Sequence, residues 1–342
     1  MKLWRYLRRR MIFIIPQILG VTLITFLIVR MIPGDPARII AGSLVNEAGV
    51  ELIRERMGLT EPLPVQLLYY VRNIFQGDLG RSWVTGNPVL EDILLRLPTT
   101  LELIILALIV SLAIMVPLGI RATFSKGGAL NRLTNKLLTL YGMAAGAFPD
   151  FWLALILIFV FYVVLGWVPS PIGAFDIAVV PPHRLTGFYI VDSLLTGNWD
   201  ALKSVCSHLI LPVFVLAFVY GGGILKVAMV SANEVKKSDY ISYATICGLP
   251  EKDIQRYISK ACYPSVATFT AVIFGFLIGG AVLVESVFSW GGFGQYAVQS
   301  VVNSDFAAIQ GVVLFSAILN LVTYIFVDII YYMVDPRIKN LG

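Results

Sequence analysis

Charge is the scarcest commodity in this chain. Of 342 residues only 14% are Asp, Glu, Lys or Arg, while 58% are hydrophobic. A soluble domain carries about a quarter charged residues to keep its surface in water. The deficit excludes an ordinary soluble globule and points to surface that faces lipid. Histidine and cysteine are also rare. His183 and His208 are too few to suggest a metal site and read as loop residues. Cys206, Cys247 and Cys262 show neither metal-ligand spacing nor a disulfide framework, and read as structural or inert. No spanning segment carries a nucleophile–base pair or an HExxH spacing, so no catalytic residue is assigned. Gly77-Asp78-Leu79-Gly80-Arg81-Ser82 is glycine-bearing, but the Lys-Ser/Thr pair of a phosphate-gripping loop is absent there and elsewhere. The chain is therefore not expected to hydrolyse ATP or to bind a cofactor of its own.

What is present is apolar and long. Six stretches are long enough to cross a hydrocarbon core of about 30 Å, which takes about 20 helical residues. They fall near 11–29, 101–120, 137–165, 209–230, 266–287 and 309–334. Backbone groups in lipid have no water to bond, so these segments must be helices. The expected fold class is all-α, a polytopic membrane protein with six transmembrane helices. Pro16, Pro117, Pro149, Gly275, Gly279 and Gly280 lie inside them and suggest kinks or close packing.

The net charge of +5 would raise nucleic acid as a partner in a soluble protein. Here it is read as the basic excess that orients spanning helices, with the lipid bilayer as partner and no nucleic acid. Lys2, Arg5, Arg8, Arg9 and Arg10 precede the first span. Arg121, Lys126, Arg132 and Lys136 lie between the second and third, Lys236, Lys237, Lys252, Arg256 and Lys260 between the fourth and fifth, and Arg337 and Lys339 after the sixth. The segment 289–308 has no Lys or Arg. The alternation predicts cytoplasmic N- and C-termini. A basic start before an apolar run also fits a secretory signal, but the run is long and no clear small-residue cleavage site follows, so it is read as an uncleaved first helix. The expected organisation is 1–30 for the N-terminus and first span, 31–98 for an extracytoplasmic insertion, 99–336 for a core with five spans, and 337–342 for a cytoplasmic tail.

The inner segment 231–263 is the informative one. Asn233, Glu234, Lys236, Lys237 and Asp239 carry the fourth helix into water, and Gly248-Leu249-Pro250 then breaks the chain. Gly permits a tight turn and Pro suits the start of a new helix. The expectation is helix, turn, helix along the membrane surface, and on spacing alone a solvated connector is the favoured reading.

Its residues, with others along the chain, resemble a known family. Ser242-Tyr243-Ala244, then Gly248, with Ile258 and Pro264 beyond, is similar to the EAA-type loop of ABC importer permeases, most plainly at Ala244, Gly248, Ile258 and Pro264. Asp239-Tyr240 and Gly248-Leu249 are similar to its peptide/nickel (dipeptide and oligopeptide) branch, with Thr245, Ile246 and Cys247 where that branch usually has basic residues. The resemblance runs from about Leu7 to Ile338. It includes Pro33-Gly34-Asp35-Pro36-Ala37, Arg96-Leu97-Pro98-Thr99-Thr100-Leu101-Glu102, Pro149-Asp150-Phe151-Trp152, His208-Leu209-Ile210-Leu211-Pro212, Glu285-Ser286-Val287-Phe288-Ser289-Trp290 and Asp335-Pro336-Arg337. It implies a type I ABC importer permease fold and the first of two permease subunits. It also implies two cytoplasmic ATPase subunits that bind ATP and Mg, and an extracytoplasmic solute-binding protein that delivers a small solute, with di- or oligopeptides the leading class. Asp239, Tyr240, Ala244, Gly248 and Leu249 then become ATPase-coupling residues.

Ionisable residues inside spans are costly and draw attention. Glu102, Glu285 and Asp328 fall near helix ends, where solvation or pairing is cheap. Lys226 can snorkel. Asp150, beside Pro149, lies deeper and faces protein or a water-filled path. Asp150 and Lys226 are candidates for a translocation path, with packing and pairing as the competing reading. Phe288, Trp290, Phe293 and Tyr296 read as an interfacial aromatic belt. A secondary transporter or channel independent of ATPases is the alternative function. It calls for inverted repeats and broken helices in matching halves, and no matching half is visible.

Overall fold

The computed structural model describes residues 2–31, 36–42, 45–56, 58–124 and 128–334, with side chains described over most of these. Pro33-Gly34-Asp35, Lys126, Asp335-Pro336-Arg337, Lys339 and the 337–342 tail lie outside the described residues, as do the side chains of Lys2 to Arg10 and Asp328.

The described chain is helical, and its helices run in order: α1 (Lys2–Met31), α2 (Pro36–Ala41), α3 (Glu47–Arg56), α4 (Leu63–Phe75), α5 (Val89–Thr123) and α6 (Ala129–Ala144). A 3-10 turn (Ala145–Ala147) leads to α7 (Asp150–Leu157), which continues as a π-helical stretch (Ile158–Val164). There follow α8 (Tyr189–Thr196), α9 (Trp199–Lys236), α10 (Asp239–Ile246), α11 (Glu251–Gly280), α12 (Val282–Val287), α13 (Phe293–Val302) and α14 (Phe306–Val334). Among the described residues the β-structure is a lone bridge between Arg81 and Pro88.

Among the described residues four helices, α5, α9, α11 and α14, are long and apolar enough to cross a membrane, and the bent pair of α6 and α7 makes a fifth if counted as one span. The expected first span appears as the shorter apolar run Ile15–Met31 within α1. Several boundaries differ from expectation. The second helix starts at Val89 rather than 101, because Pro98 is accommodated inside it. The third is bent by 105° at Phe148-Pro149 instead of gently kinked. Proline has no N–H for the helical ladder and excludes the α conformation from the residue before it; Phe148 accordingly sits at φ −84°, ψ 127°. The stretch 266–287, expected as one helix, is α11 and α12 with a turn at Ala281.

The chain divides into two compact units. In the first, residues 3–97 and 295–321, Arg30 at the end of α1 donates from Nε and Nη2 to Gln66 Oε1 on α4, at 3.0 and 2.9 Å. Its guanidinium also covers the Phe26 ring. Asp305, 1% exposed, accepts from the Ser82 hydroxyl at 2.5 Å and caps α14 through the Ala308 amide at 3.1 Å. Arg96 lies over the Tyr296 ring, 4.4 Å from its centroid.

In the second unit, residues 98–294 and 322–342, α9 is the central element. At 1.5 Å per residue its 38 residues run about 57 Å, well beyond the hydrocarbon layer. Helices α6, α7, α8 and α11 all pack on it. Small residues permit the approach: a Cβ on Gly222 would stand 2.6 Å from the Ala145 Cβ, and one on Gly119 2.9 Å from that of Ala228. His208, expected in a loop, is a buried residue of α9, because the helix begins at Trp199 inside the turn-rich segment. Its Nδ1 meets the Ser204 carbonyl at 2.8 Å.

The aromatic cluster is also corrected. Phe288, Trp290, Phe293 and Tyr296 are all buried, so they are core residues rather than an interfacial belt. Glu102 and Glu285 follow the pairing reading. Glu102 accepts the Tyr189 and Ile190 amides at 2.9 and 2.8 Å, capping the start of α8. Glu285 is fully buried and accepts from the Thr100 hydroxyl.

Candidate functional site

Helix α10 is built to be stiff and to show one face to solvent. It begins after Ser238, whose ψ of 151° breaks the run of α9 and whose carbonyl accepts the Ser242 amide. Asp239 places a negative charge in its first turn, where the unpaired N–H groups favour it. At the other end the Gly248 amide donates to the Thr245 carbonyl at 3.0 Å and the Leu249 amide to the Ala244 carbonyl at 3.1 Å. That pair of bonds is a Schellman closure, which needs a left-handed residue after the helix. Gly248 supplies it with φ of +76°. Pro250 then leads into α11.

The five residues marked by the loop resemblance thus divide by role in the structure. Ala244, Gly248 and Leu249 make the closing turn, while Asp239 and Tyr240 are exposed on the first turn. Ile241, 2% exposed, is the buried anchor of α10, which packs against α9 and α11. Tyr240 (54% exposed), Tyr243 (70%) and Ile246 (83%) form an apolar stripe beside exposed Asp239, Ser242 and Thr245. Tyr243 and Ile246 stand within the motif text but received no role from it, because the match was carried by Ala244, Gly248, Ile258 and Pro264. The spacing Tyr240, Tyr243, Ile246 was the available signal, since positions three apart share a helix face. Beside this element, the Lys236 ammonium donates to the Thr123 carbonyl at 2.6 Å and lies 5.2 Å from the Phe124 ring centre, tying the end of α9 to the end of α5.

Asp150 and Lys226 both belong to the seam between the bent pair and α9. Asp150 opens α7 just past the 105° bend, is partly exposed, and receives a 3.4 Å hydrogen bond from the Tyr220 hydroxyl of α9. Lys226 is exposed, and its Cβ lies 3.8 Å from where a Cβ on Gly142 of α6 would stand. The seam carries both charges, Asp150 where α7 meets α9 and Lys226 where α9 meets α6.

An all-α chain with several membrane-length helices, two of them joined by a capped and exposed short helix, is a polytopic membrane protein. Residues 115–340 match the family described as the binding-protein-dependent transport system inner membrane component, and residues 3–104 match its N-terminal companion. The chain is 39% identical to the probable D,D-dipeptide transport system permease protein DdpB of Escherichia coli, covering all of this chain and 99% of that relative. It is 34% identical to the dipeptide transport system permease protein DppB of Alkalihalophilus pseudofirmus, covering 98% of this chain and 99% of the relative. It is 33% identical to the di/tripeptide transport system permease protein DppB of Pseudomonas aeruginosa, covering 98% of each. The chain belongs to the family of binding-protein-dependent inner membrane components. It has the type I ABC importer permease fold and is a multi-pass permease subunit that works with a solute-binding protein.

Proposed function

We propose that this permease imports di- and tripeptides or closely related short peptides, driven by ATP hydrolysed on two partner ATPase subunits that hold ATP and Mg. A second, similar permease completes the solute path. The observation that carries the reading is α10: a capped helix anchored by Ile241, with Tyr240, Tyr243 and Ile246 presented outward. An exposed aromatic and aliphatic face of this kind suits insertion into a cleft on another protein. The relatives, which are dipeptide and di/tripeptide permeases by name, suggest the substrate class.

On this reading α10 faces the cytoplasm of a prokaryotic cell, as do both termini, and 31–98 is the extracytoplasmic insertion that meets the binding protein. Closure of the ATPases moves α10 as a rigid body with α11, and the solute passes beside the Asp150 and Lys226 seam. The ligand shifts the inward and outward states only by its differential affinity for them.

The test is cross-linking and turnover. Cysteine at Tyr243, with exposed Cys206 and Cys247 replaced, is expected to capture an ATPase subunit. Tyr243→Ala with Ile246→Ala is expected to reduce binding-protein-stimulated ATP hydrolysis at unchanged membrane abundance. Peptide uptake at full rate in proteoliposomes without any ATPase would overturn the proposal.

A further inference from the structure

The second unit holds a polar pocket of about 450 Å³ where the start of α9 meets the segment 176–180. Asp176, Asn198, Asp200, Lys203, Ser204 and Ser207 supply its polar wall. Its size lies within the range of small-molecule sites, about 300–1,000 Å³. It is a concave site with charges of both signs.

Asp176 is held in place. Its amide donates to the Ser204 hydroxyl at 2.8 Å, and that hydroxyl in turn lies 3.1 Å from Asp176 Oδ2. Behind it, the buried His208 ring places Nε2 3.8 Å from Asp176 Oδ1. The Asp176 side chain nevertheless stays 52% exposed, so the fixed carboxylate is open to a ligand. The Ser207 hydroxyl donates to the Ser204 carbonyl at 2.7 Å, which commits its proton and leaves its lone pairs to accept. Asp200 and Lys203 are exposed and take no ion-pair partner among the described residues.

The inventory matches a zwitterion. Two carboxylates and an acceptor hydroxyl suit an ammonium, and a free lysine suits a carboxylate. Asp200 and Lys203 are about 4.5 Å apart along the α9 axis at 1.5 Å per residue. The two ends of an extended dipeptide lie about 7 Å apart at roughly 3.5 Å per residue, a span that flexible side chains at the rim can bridge.

We propose that this pocket binds the free termini of a short peptide, the α-ammonium at Asp176, Asp200 and Ser207 and the α-carboxylate at Lys203. The proposal rests on the peptide-import reading and deepens it. On that reading the pocket lies on the extracytoplasmic side, so it takes the peptide as the binding protein releases it. The charged groups hold the two termini and ignore the side chains.

The test uses the complete transporter in lipid nanodiscs without its binding protein. A photoactivatable dipeptide with free termini is the probe, and labelled residues are mapped by mass spectrometry. Labelling is expected within 176–207. Unlabelled dialanine is expected to compete, and N-acetyl-dialanine amide to compete at least about tenfold less well, as loss of the charge-assisted contacts at both termini implies. Lys203→Gln and Asp200→Asn, both exposed and so compatible with folding, are each expected to lower labelling several-fold.

Equal competition by the blocked peptide, or unchanged labelling in both variants, overturns the pocket. Variants that weaken only the ATPase stimulation by the binding protein, with labelling intact, mark a docking surface and also overturn it. The two readings fail separately. Terminus-dependent labelling without any peptide-dependent ATPase stimulation leaves the pocket standing and removes the importer reading. Stimulation without such labelling does the reverse.

Discussion

The Thr100 hydroxyl donates to the Glu285 carboxylate at 2.5 Å, and both side chains are fully buried although 185 residues separate them. The same hydroxyl accepts the Phe293 amide at 2.8 Å, so one threonine joins α5, α12 and the start of α13. Gly292 lets this happen, since a Cβ there would stand 2.5 Å from a Glu285 carboxylate oxygen. Around it, the Trp290 amide returns to the Glu285 carbonyl at 2.9 Å.

Thr100→Val removes a donor to a buried carboxylate and an acceptor for a buried amide. The variant should be destabilised by about 1–3 kcal/mol, the cost of removing hydrogen bonds from buried polar groups. Thr100→Ser keeps the hydroxyl and should lose far less. Thermal unfolding of the detergent-solubilised transporter is the measurement; equal midpoints for Thr100→Val and wild type would show the link to be dispensable.

Gly248→Val forces a branched residue to φ of +76° at the Schellman turn. The left-handed region costs an L-residue about 1–2 kcal/mol, and the strain falls on the closure of α10. Uptake should fall with little loss of membrane abundance, and Gly248→Asn, which tolerates that region better, should fall between. Wild-type uptake in Gly248→Val would separate the turn from coupling.

Asp150→Asn retains size and a hydrogen-bonding partner for Tyr220 while removing the charge at the bend. Uptake should drop while the amount of protein in the membrane stays the same. An unchanged transport rate would leave Asp150 as a packing residue.

Asp192 gives a pH dependence. Burial raises its carboxyl pKa, but hydrogen bonds from the Thr186 hydroxyl and the Thr186 and Gly187 amides outweigh this and leave it below the usual carboxylate value. A depressed value in the folded state means the stabilisation is present above the ordinary Asp pKa of about 3.9 and is lost as pH falls through the folded value. The protection of the amides of 186–197, measured against the intrinsic exchange rate at each pH, should fall on acidification, and Asp192→Asn should flatten that dependence. Protection that does not change with acid in the wild type would contradict it.

Much of this protein was legible because the lipid requirement is one-dimensional. A run of about 20 apolar residues must be a helix wherever it sits, which located the segments that became α5, α9, α11 and α14. The turn after α10 was legible for a local reason: Gly248 followed by Leu249 and Pro250 is turn chemistry within three residues. The aromatic cluster was misread because a tryptophan at a helix end looks the same in sequence whether it meets lipid headgroups or another helix. Trp290 meets the Thr99 carbonyl, at 3.4 Å across 191 residues. His208 was misread because the turn-rich stretch before it hides the start of α9.

Composition and apolar run length, then, dictated a helical membrane protein, and local turn chemistry dictated where α10 closes. Only the folded chain decided which face of α10 is free, that Glu285 meets Thr100, and that Asp176, Asp200 and Lys203 line one pocket. Hydrogen bonding along a helix is satisfied by near neighbours, so it is written in local order. The partner of a buried carboxylate or the wall of a pocket comes from segments far apart in the chain, and helix packing alone brings them together.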